Sequence, residues 1–155
     1  MRLLLVQHGD SVPESVDPAK PLSEAGRRDV TSLARACLAA GIQAHEILHS
    51  GKLRARQSAE IIGEALSIPC RPCAGLDPLD PVRPFAEGCA EWEESRIIVG
   101  HLPFLERLAA WLVAQREEPP VVVFQRGGMV CLEKRAPTEW RILWTFFPQQ
   151  PHKGS

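Results

Sequence analysis

The first ten residues, MRLLLVQHGD (Met1–Asp10), carry the reading of the fold. Leu3 to Val6 is an unbroken apolar run, which suits a strand covered on both faces, as in a parallel sheet between helices. The run stops at Gln7, His8, Gly9 and Asp10. In open α/β sheets, ligands bind beyond the carboxyl ends of the strands. His8 is expected at such an end, with Gly9 giving the backbone freedom to turn. A histidine capping a strand end is the bland alternative, so the rest of the chain has to decide.

A second run of the same kind is Arg96 to Gly100, RIIVG, again followed by a histidine, His101. Pro103 opens the next helix, to about Gln115, at a position proline favours. Between these strands, helix and strand signals alternate. Ser11 to Pro21 reads as a polar loop. Ser23 reads as an N-cap with Glu24 in the first turn. Val30, Leu33, Ala34, Cys37 and Leu38 then follow at helical spacing up to Gly41. Glu46 to Ser50 reads as a short strand and Leu53 to Leu66 as a helix, with a short strand within Ile68 to Cys73. Ala74 to Pro84 reads as a proline-rich loop and residues 85–94 as a helix. Val121 to Phe124, Met129 to Glu133 and Trp140 to Phe147 read as strands. The pattern predicts an α/β fold, a three-layer αβα sandwich around a mostly parallel sheet. A single domain is expected over 1–148, with 149–155 as a disordered tail.

The 155 residues suffice for one domain with a sizeable core. Apolar residues make up 45 % and charged residues 24 %, ordinary for a globular protein. A net charge of −1 argues against non-specific nucleic-acid binding. No apolar run approaches a membrane span, and the amino-terminal run is too short for a signal peptide. Five cysteines, an odd number, point to reduced thiols and a cytoplasmic protein. Cys70-Arg71-Pro72-Cys73 has redox or half-zinc spacing, but no second pair accompanies it.

His45 to His49, HEILH, matches the zinc-protease signature. That motif works on a helix, where positions i and i+4 share a face. Here Gly41 lies upstream and Ser50-Gly51 downstream, and five residues between such breakers suit a strand. No third ligand follows at the expected spacing, so His49 is expected at a strand end beside the site.

Three features converge on one edge of the expected sheet. His8-Gly9 ends the first strand. Ser50 to Gln57, SGKLRARQ, leaves the second and enters a helix carrying Arg54 and Arg56. His101 follows RIIVG at the start of another helix. A helix N-terminus with arginine nearby is an anion site, most naturally for phosphate. A histidine in line with phosphorus can act as a nucleophile.

On these residues the chain resembles the histidine phosphatase superfamily, with the phosphoglycerate mutase-like fold, and within it the SixA-type phosphohistidine phosphatases. The family's R-H-G-[ED] is matched by Gln7-His8-Gly9-Asp10, and its P-L-[ST]-x-x-G by Pro21 to Gly26. Its S-P-x-x-R-[AT]-x-[EQ]-[ST] is matched by Ser50 to Ser58, with Gly51 in place of proline. Its G-H-x-P is matched by Gly100 to Pro103. The resemblance implies that His8 attacks phosphorus, that Arg54 binds phosphoryl oxygens and that His101 stabilises the transition state. It implies no metal and no cofactor. The implied substrate is a phosphorylated protein, through phosphohistidine, or a small phosphorylated molecule, handled by a monomer. Gln7 stands where the family has arginine. It can donate a hydrogen bond into the phosphate site but brings no charge, so a slow phosphatase is expected. The alternative is a phosphatase-fold protein that binds phosphate or a partner without efficient turnover. Asp77 and Asp80 lie where larger members carry a general acid, without a clear assignment to either. Specificity is expected in the loops Ser11 to Lys20 and Ala74 to Glu87.

Overall fold

The computed structural model describes residues 1–148, so the expected disordered tail at 149–155 lies outside the described residues. Six strands form one sheet: β1 (Arg2–Gln7), β2 (Glu46–His49), β3 (Cys70–Pro72), β4 (Arg96–Gly100), β5 (Met129–Ala136) and β6 (Glu139–Phe146). Their order is β3-β2-β4-β1-β5-β6. The pairs β3–β2, β2–β4 and β4–β1 are parallel, whereas β1–β5 and β5–β6 are antiparallel. The helices are α1 (Glu24–Ala39), α2 (Leu53–Leu66), α3 (Val82–Glu91) and α4 (Phe104–Ala114). This is the α/β architecture expected from the sequence.

The apolar run of β1 is explained by the two layers it separates. Successive side chains of a strand point to opposite faces. Leu3 and Leu5 join the core beneath α3 and α4, with Leu48, Ile98, Phe104 and Leu105. Leu4 and Val6 join the core beneath α1 and α2, with Val30, Leu33, Ile47, Ala59 and Ile62. All four are essentially inaccessible to solvent, so neither face tolerates a polar residue. Burying each such side chain is worth about 1.5–3 kcal/mol. No described helix is long and apolar enough to cross a membrane.

Two expectations are corrected. The third helix begins at Val82 rather than at 85, with Pro81 as its N-cap residue, and ends at Glu91. Pro84 falls in the first turn, where the amide has no intrahelical acceptor to lose, so prolines that read as loop belong to a helix start. Val121 to Phe124 is not a strand. Only Phe124 is buried, and Val123 is 71 % exposed. Both edges of β1 are already taken, by β4 and β5, so an extra strand has no place beside the centre of the sheet. The segment instead carries the chain back to the start of β5, whose Met129 lies opposite Val6. Residues just before Met129 therefore reach the sheet edge where β1 ends.

Candidate active site

His8 follows directly on β1, in the middle of the sheet. Gln7 pairs with Gly100 of β4, and the His8 amide donates to the Gly100 carbonyl at 3.1 Å. The two central strands thus end together, and His8 and His101 emerge side by side. Their ring centroids are 5.0 Å apart with planes tilted by 52°.

Three contacts fix the turn after His8. The Gly9 amide donates to Ser58 Oγ of α2 at 3.0 Å, in a buried setting. Asp10 Oδ2 accepts from Ser23 Oγ at 2.7 Å, and the same Oγ accepts from the Gly26 amide at 3.0 Å as the N-cap of α1. Gly26 lets α1 approach this turn: a Cβ there would sit 2.1 Å from the Asp10 carbonyl oxygen. The serine and glycine of Pro21 to Gly26 are thus needed to seat the residues that follow His8. Gln57 adds a further link, its Oε1 accepting from the Leu22 amide at 2.8 Å.

Arg54 lies in the first turn of α2, and among the described residues its guanidinium makes no ion pair. Arg56 turns outward and pairs with Glu60 on the exposed side of the helix. The loop entering α2 passes through Gly51 at φ +90°, a conformation that proline, fixed near −65°, cannot adopt. That geometry accounts for glycine where the family motif carries proline. Ser50 Oγ lies 2.6 Å from His101 Nε2, linking this loop to the second histidine. His101 is 2 % exposed, and its amino-terminal position before α4 is fixed by its carbonyl, which accepts from the Leu105 amide at 2.9 Å.

The electrostatics follow from burial within a cationic rim. Desolvation lowers the His8 pKa to about 4. The Gly9 carbonyl opposes this, and the charges of Arg54, Arg126 and Lys20 reinforce it. Desolvation likewise lowers His101 to about 3, helped by His8, Arg54, Lys52 and Lys20. Both imidazoles are therefore neutral at pH 7. His8 Nδ1 lies 2.7 Å from the Gly9 carbonyl oxygen, which can only accept, so Nδ1 carries the proton. The neutral ring then holds its free lone pair on Nε2. A neutral imidazole with a fixed tautomer, facing arginine and a second imidazole, can attack an electrophilic phosphorus and bind its oxygens.

Gln7 lines an adjoining cleft of roughly 570 Å³ with Asp10, Asp29, Leu102, Phe124 and Arg126. Its Oε1 is buried and has no partner among the described residues. Arg126 reaches into the same cleft and pairs with Asp10 Oδ1. Arg126, Ser50 and Ser58 were not singled out from the sequence. Ser50 and Ser58 stand within a motif whose side-chain partners only the fold reveals. Arg126 belongs to no motif, and the one signal for it is that an antiparallel β5 must start at the same edge as His8.

The remaining sequence candidates lie elsewhere or act locally. HEILH is β2 with its preceding residue. Glu46 accepts from Arg71 Nε at 2.7 Å and from Arg96 Nε at 2.8 Å. The Arg71 bond, aided by Arg96 against the cost of burial, holds its carboxyl down at about 2. His45 pairs with Glu94 at the surface, and His49 Nδ1 accepts from the Gly51 amide at 3.1 Å. Asp80 accepts the Asp77 amide at 2.8 Å, so this pair closes a turn before α3. Cys70 directs its thiol to the Ala59 carbonyl, and both it and Cys73 are free thiols. Among the described residues no three His, Cys, Asp or Glu side chains cluster as a metal site.

Comparison with known proteins bears on the fold and the family. No curated protein shows a significant match to the sequence. The structure of the protein histidine phosphatase SixA complexed with tungstate superposes with a TM-score of 0.85 at 21 % identity, covering 96 % of this chain and 97 % of that one. The native structure of a mycobacterial glucosyl-3-phosphoglycerate phosphatase superposes with a TM-score of 0.69 at 16 % identity, covering 91 % and 96 %. At such identities the likeness is one of fold. The family model for the histidine phosphatase superfamily, branch 1, matches residues 3–83, more than half of the chain and including His8 and Arg54. The chain belongs to the histidine phosphatase superfamily, branch 1.

Proposed function

We propose that the protein is a metal-independent phosphatase that works through a covalent phosphohistidine on His8. The observation that carries this is the state of His8: neutral at pH 7, with Nδ1–H held by the Gly9 carbonyl and Nε2 free. In the first step Nε2 forms a bond to phosphorus while the bond from phosphorus to the leaving group breaks. The leaving atom keeps the electron pair and takes a proton from water. Arg54 binds the phosphoryl oxygens, and His101, whose Nε2 shares a hydrogen bond with Ser50 Oγ, stabilises the charge that develops on them in the transition state. In the second step water attacks phosphorus, the P–N bond breaks, its electron pair returns to Nε2, and the attacking water releases a proton to solvent as its oxygen becomes part of the phosphate. Positioning and electrostatics carry such a transfer, with no metal required.

The substrate we favour is phosphohistidine in a protein. Its imidazole is a good leaving group once protonated on its far nitrogen, so the reaction asks little of a side-chain acid; Asp10, in the turn after His8, is held by Ser23 and Arg126. A small phosphate ester would need more help from an acid. Gln7 leaves position 7 without a charge, and this slows turnover. A protein that binds phosphate without efficient turnover is the second reading, and the uncharged Gln7 is the observation that favours it.

The test is incubation with a histidine-containing protein phosphorylated on its imidazole, in excess chelator, with released phosphate measured over time. Release that depends on His8 and survives chelation is the expected result. No release above buffer would leave the phosphate-binding reading in its place, and rescue by zinc would point back to the metal motif.

A further inference from the structure

We propose that Arg126, in the loop between α4 and β5, is a phosphate-binding residue that supplies the positive charge missing at position 7. This rests on the phosphatase reading of the His8 site and adds a residue to it.

The loop is joined to position 7 by backbone bonds. The Gly127 amide donates to the Gln7 carbonyl at 2.9 Å and to the His8 carbonyl at 3.3 Å. The Gln7 amide donates in turn to the Gly128 carbonyl at 3.3 Å. The residue before Gly127 is therefore held beside Gln7 wherever its side chain points. That side chain enters the cleft that Gln7 lines. Gln7 is shorter than arginine, and its Oε1 faces no donor among the described residues, so the amide itself answers no charge there.

Arg126 is also available to a ligand. Its side chain is 57 % exposed, and its partner, Asp10, is already satisfied on its other oxygen by Ser23. Exposed ion pairs of this kind hold weakly, so a dianionic phosphoryl group can compete for the guanidinium or share it. Arginine binds phosphate through a planar fork, a geometry that glutamine lacks. The charge already acts at the nucleophile, since Arg126 is one of the cations that depress the His8 pKa. Asp10 then serves as a tether that keeps the guanidinium near the site when no phosphate is bound.

Two readouts test this on the full-length protein. One is the dissociation constant for inorganic phosphate, followed through the ring resonances of His8 and His101. The other is kcat/KM on a protein phosphorylated on histidine. The variants are Arg126→Gln, Gln7→Arg, the pair Gln7→Arg with Arg126→Gln, and Arg54→Gln as a reference. Loss of one charge-assisted contact lowers affinity and kcat/KM about ten- to a hundredfold. Arg126→Gln should show that loss, and Gln7→Arg should restore most of it in the Arg126→Gln background while adding much less to the wild type. An unchanged Arg126→Gln beside an impaired Arg54→Gln would overturn the proposal. So would a loss that Gln7→Arg does not restore and that Asp10→Asn reproduces, because Arg126 would then only hold the turn. If His8→Ala and Arg54→Gln leave hydrolysis untouched, the phosphatase reading itself fails, whereas phosphate affinity still reports on Arg126.

Discussion

Replacing Ser58 with alanine removes one hydroxyl that joins α2 to the turn after His8. Ser58 Oγ accepts the Gly9 amide at 3.0 Å and donates to the Arg54 carbonyl at 2.8 Å. The Arg54 carbonyl keeps the helix bond expected of its position, so it remains satisfied. The Gly9 amide does not. Ser58 is 0 % exposed, and the space left by one oxygen atom is too small and too enclosed for a water. An orphaned buried amide costs about 1–3 kcal/mol. Alanine recovers about 0.5 kcal/mol through helix propensity. The net expectation is a loss of about 0.5–2.5 kcal/mol, or a fall of roughly 1–10 °C in Tm for a chain of this size. Activity should fall further than stability explains, because the same bond sets His8 against Arg54. A displacement of the nucleophile by a fraction of an ångström is enough for about a tenfold loss in kcat. Urea unfolding, steady-state kinetics and the Gly9 amide resonance are the assays. A variant with unaltered midpoint, unaltered kcat and an unshifted Gly9 amide would refute the bridge between α2 and the His8 turn.

Two further expectations concern charge. The His8 pKa, lowered from 6.5 to about 4 chiefly by burial, favours the neutral ring in the folded state, so its contribution to stability is complete above pH 6.5 and is lost as the pH falls towards 4. The enzyme's own acid limb in kcat/KM should lie near pH 4, and a limb at 6.5 that vanishes in no other variant would contradict a buried neutral nucleophile. Glu46→Gln should cost about 1–3 kcal/mol at pH 7 by leaving Arg96 and Arg71 without their counter-charge, with kcat/KM unchanged. Glu46 is held down at about 2, so the cost should shrink as the pH drops below 4.5, as urea melts at pH 7 and pH 3 would record.

The sequence made β1, β4 and α2 legible for a physical reason. Strands buried on both faces must be apolar throughout, and the limits of α2 are marked by Gly51 before it and by the end of its apolar face at Leu66. The same strand ends exposed His8 and His101 as candidates, and Arg54 followed from its place in the first turn of α2. The structure brings His8 and His101 together, with Arg54 close enough for its charge to act on both rings. What stayed hidden depends on tertiary neighbours. Pro81 and Pro84 read as loop although a helix start accepts them. Val121 to Phe124 has strand-forming residues, but Phe124, with Val121 and Val122 partly buried, packs against the core beneath α3 and α4 while Val123 faces solvent, and no free strand edge lies beside them. Arg126 could not be placed before the sense of β5 was known, because only an antiparallel β5 returns the chain to His8.

The most direct test of the central claim is to catch the phosphoryl group on the enzyme. The protein is mixed with a substrate phosphorylated on histidine, quenched in base within milliseconds, and digested for mass spectrometry. The account predicts an acid-labile, base-stable phosphoryl group on the peptide containing His8, at Nε2, that decays as phosphate is released and is missing in His8→Ala. Turnover at an undiminished rate in His8→Ala, or a phosphoryl group found on another residue while His8 stays unmodified, would contradict it.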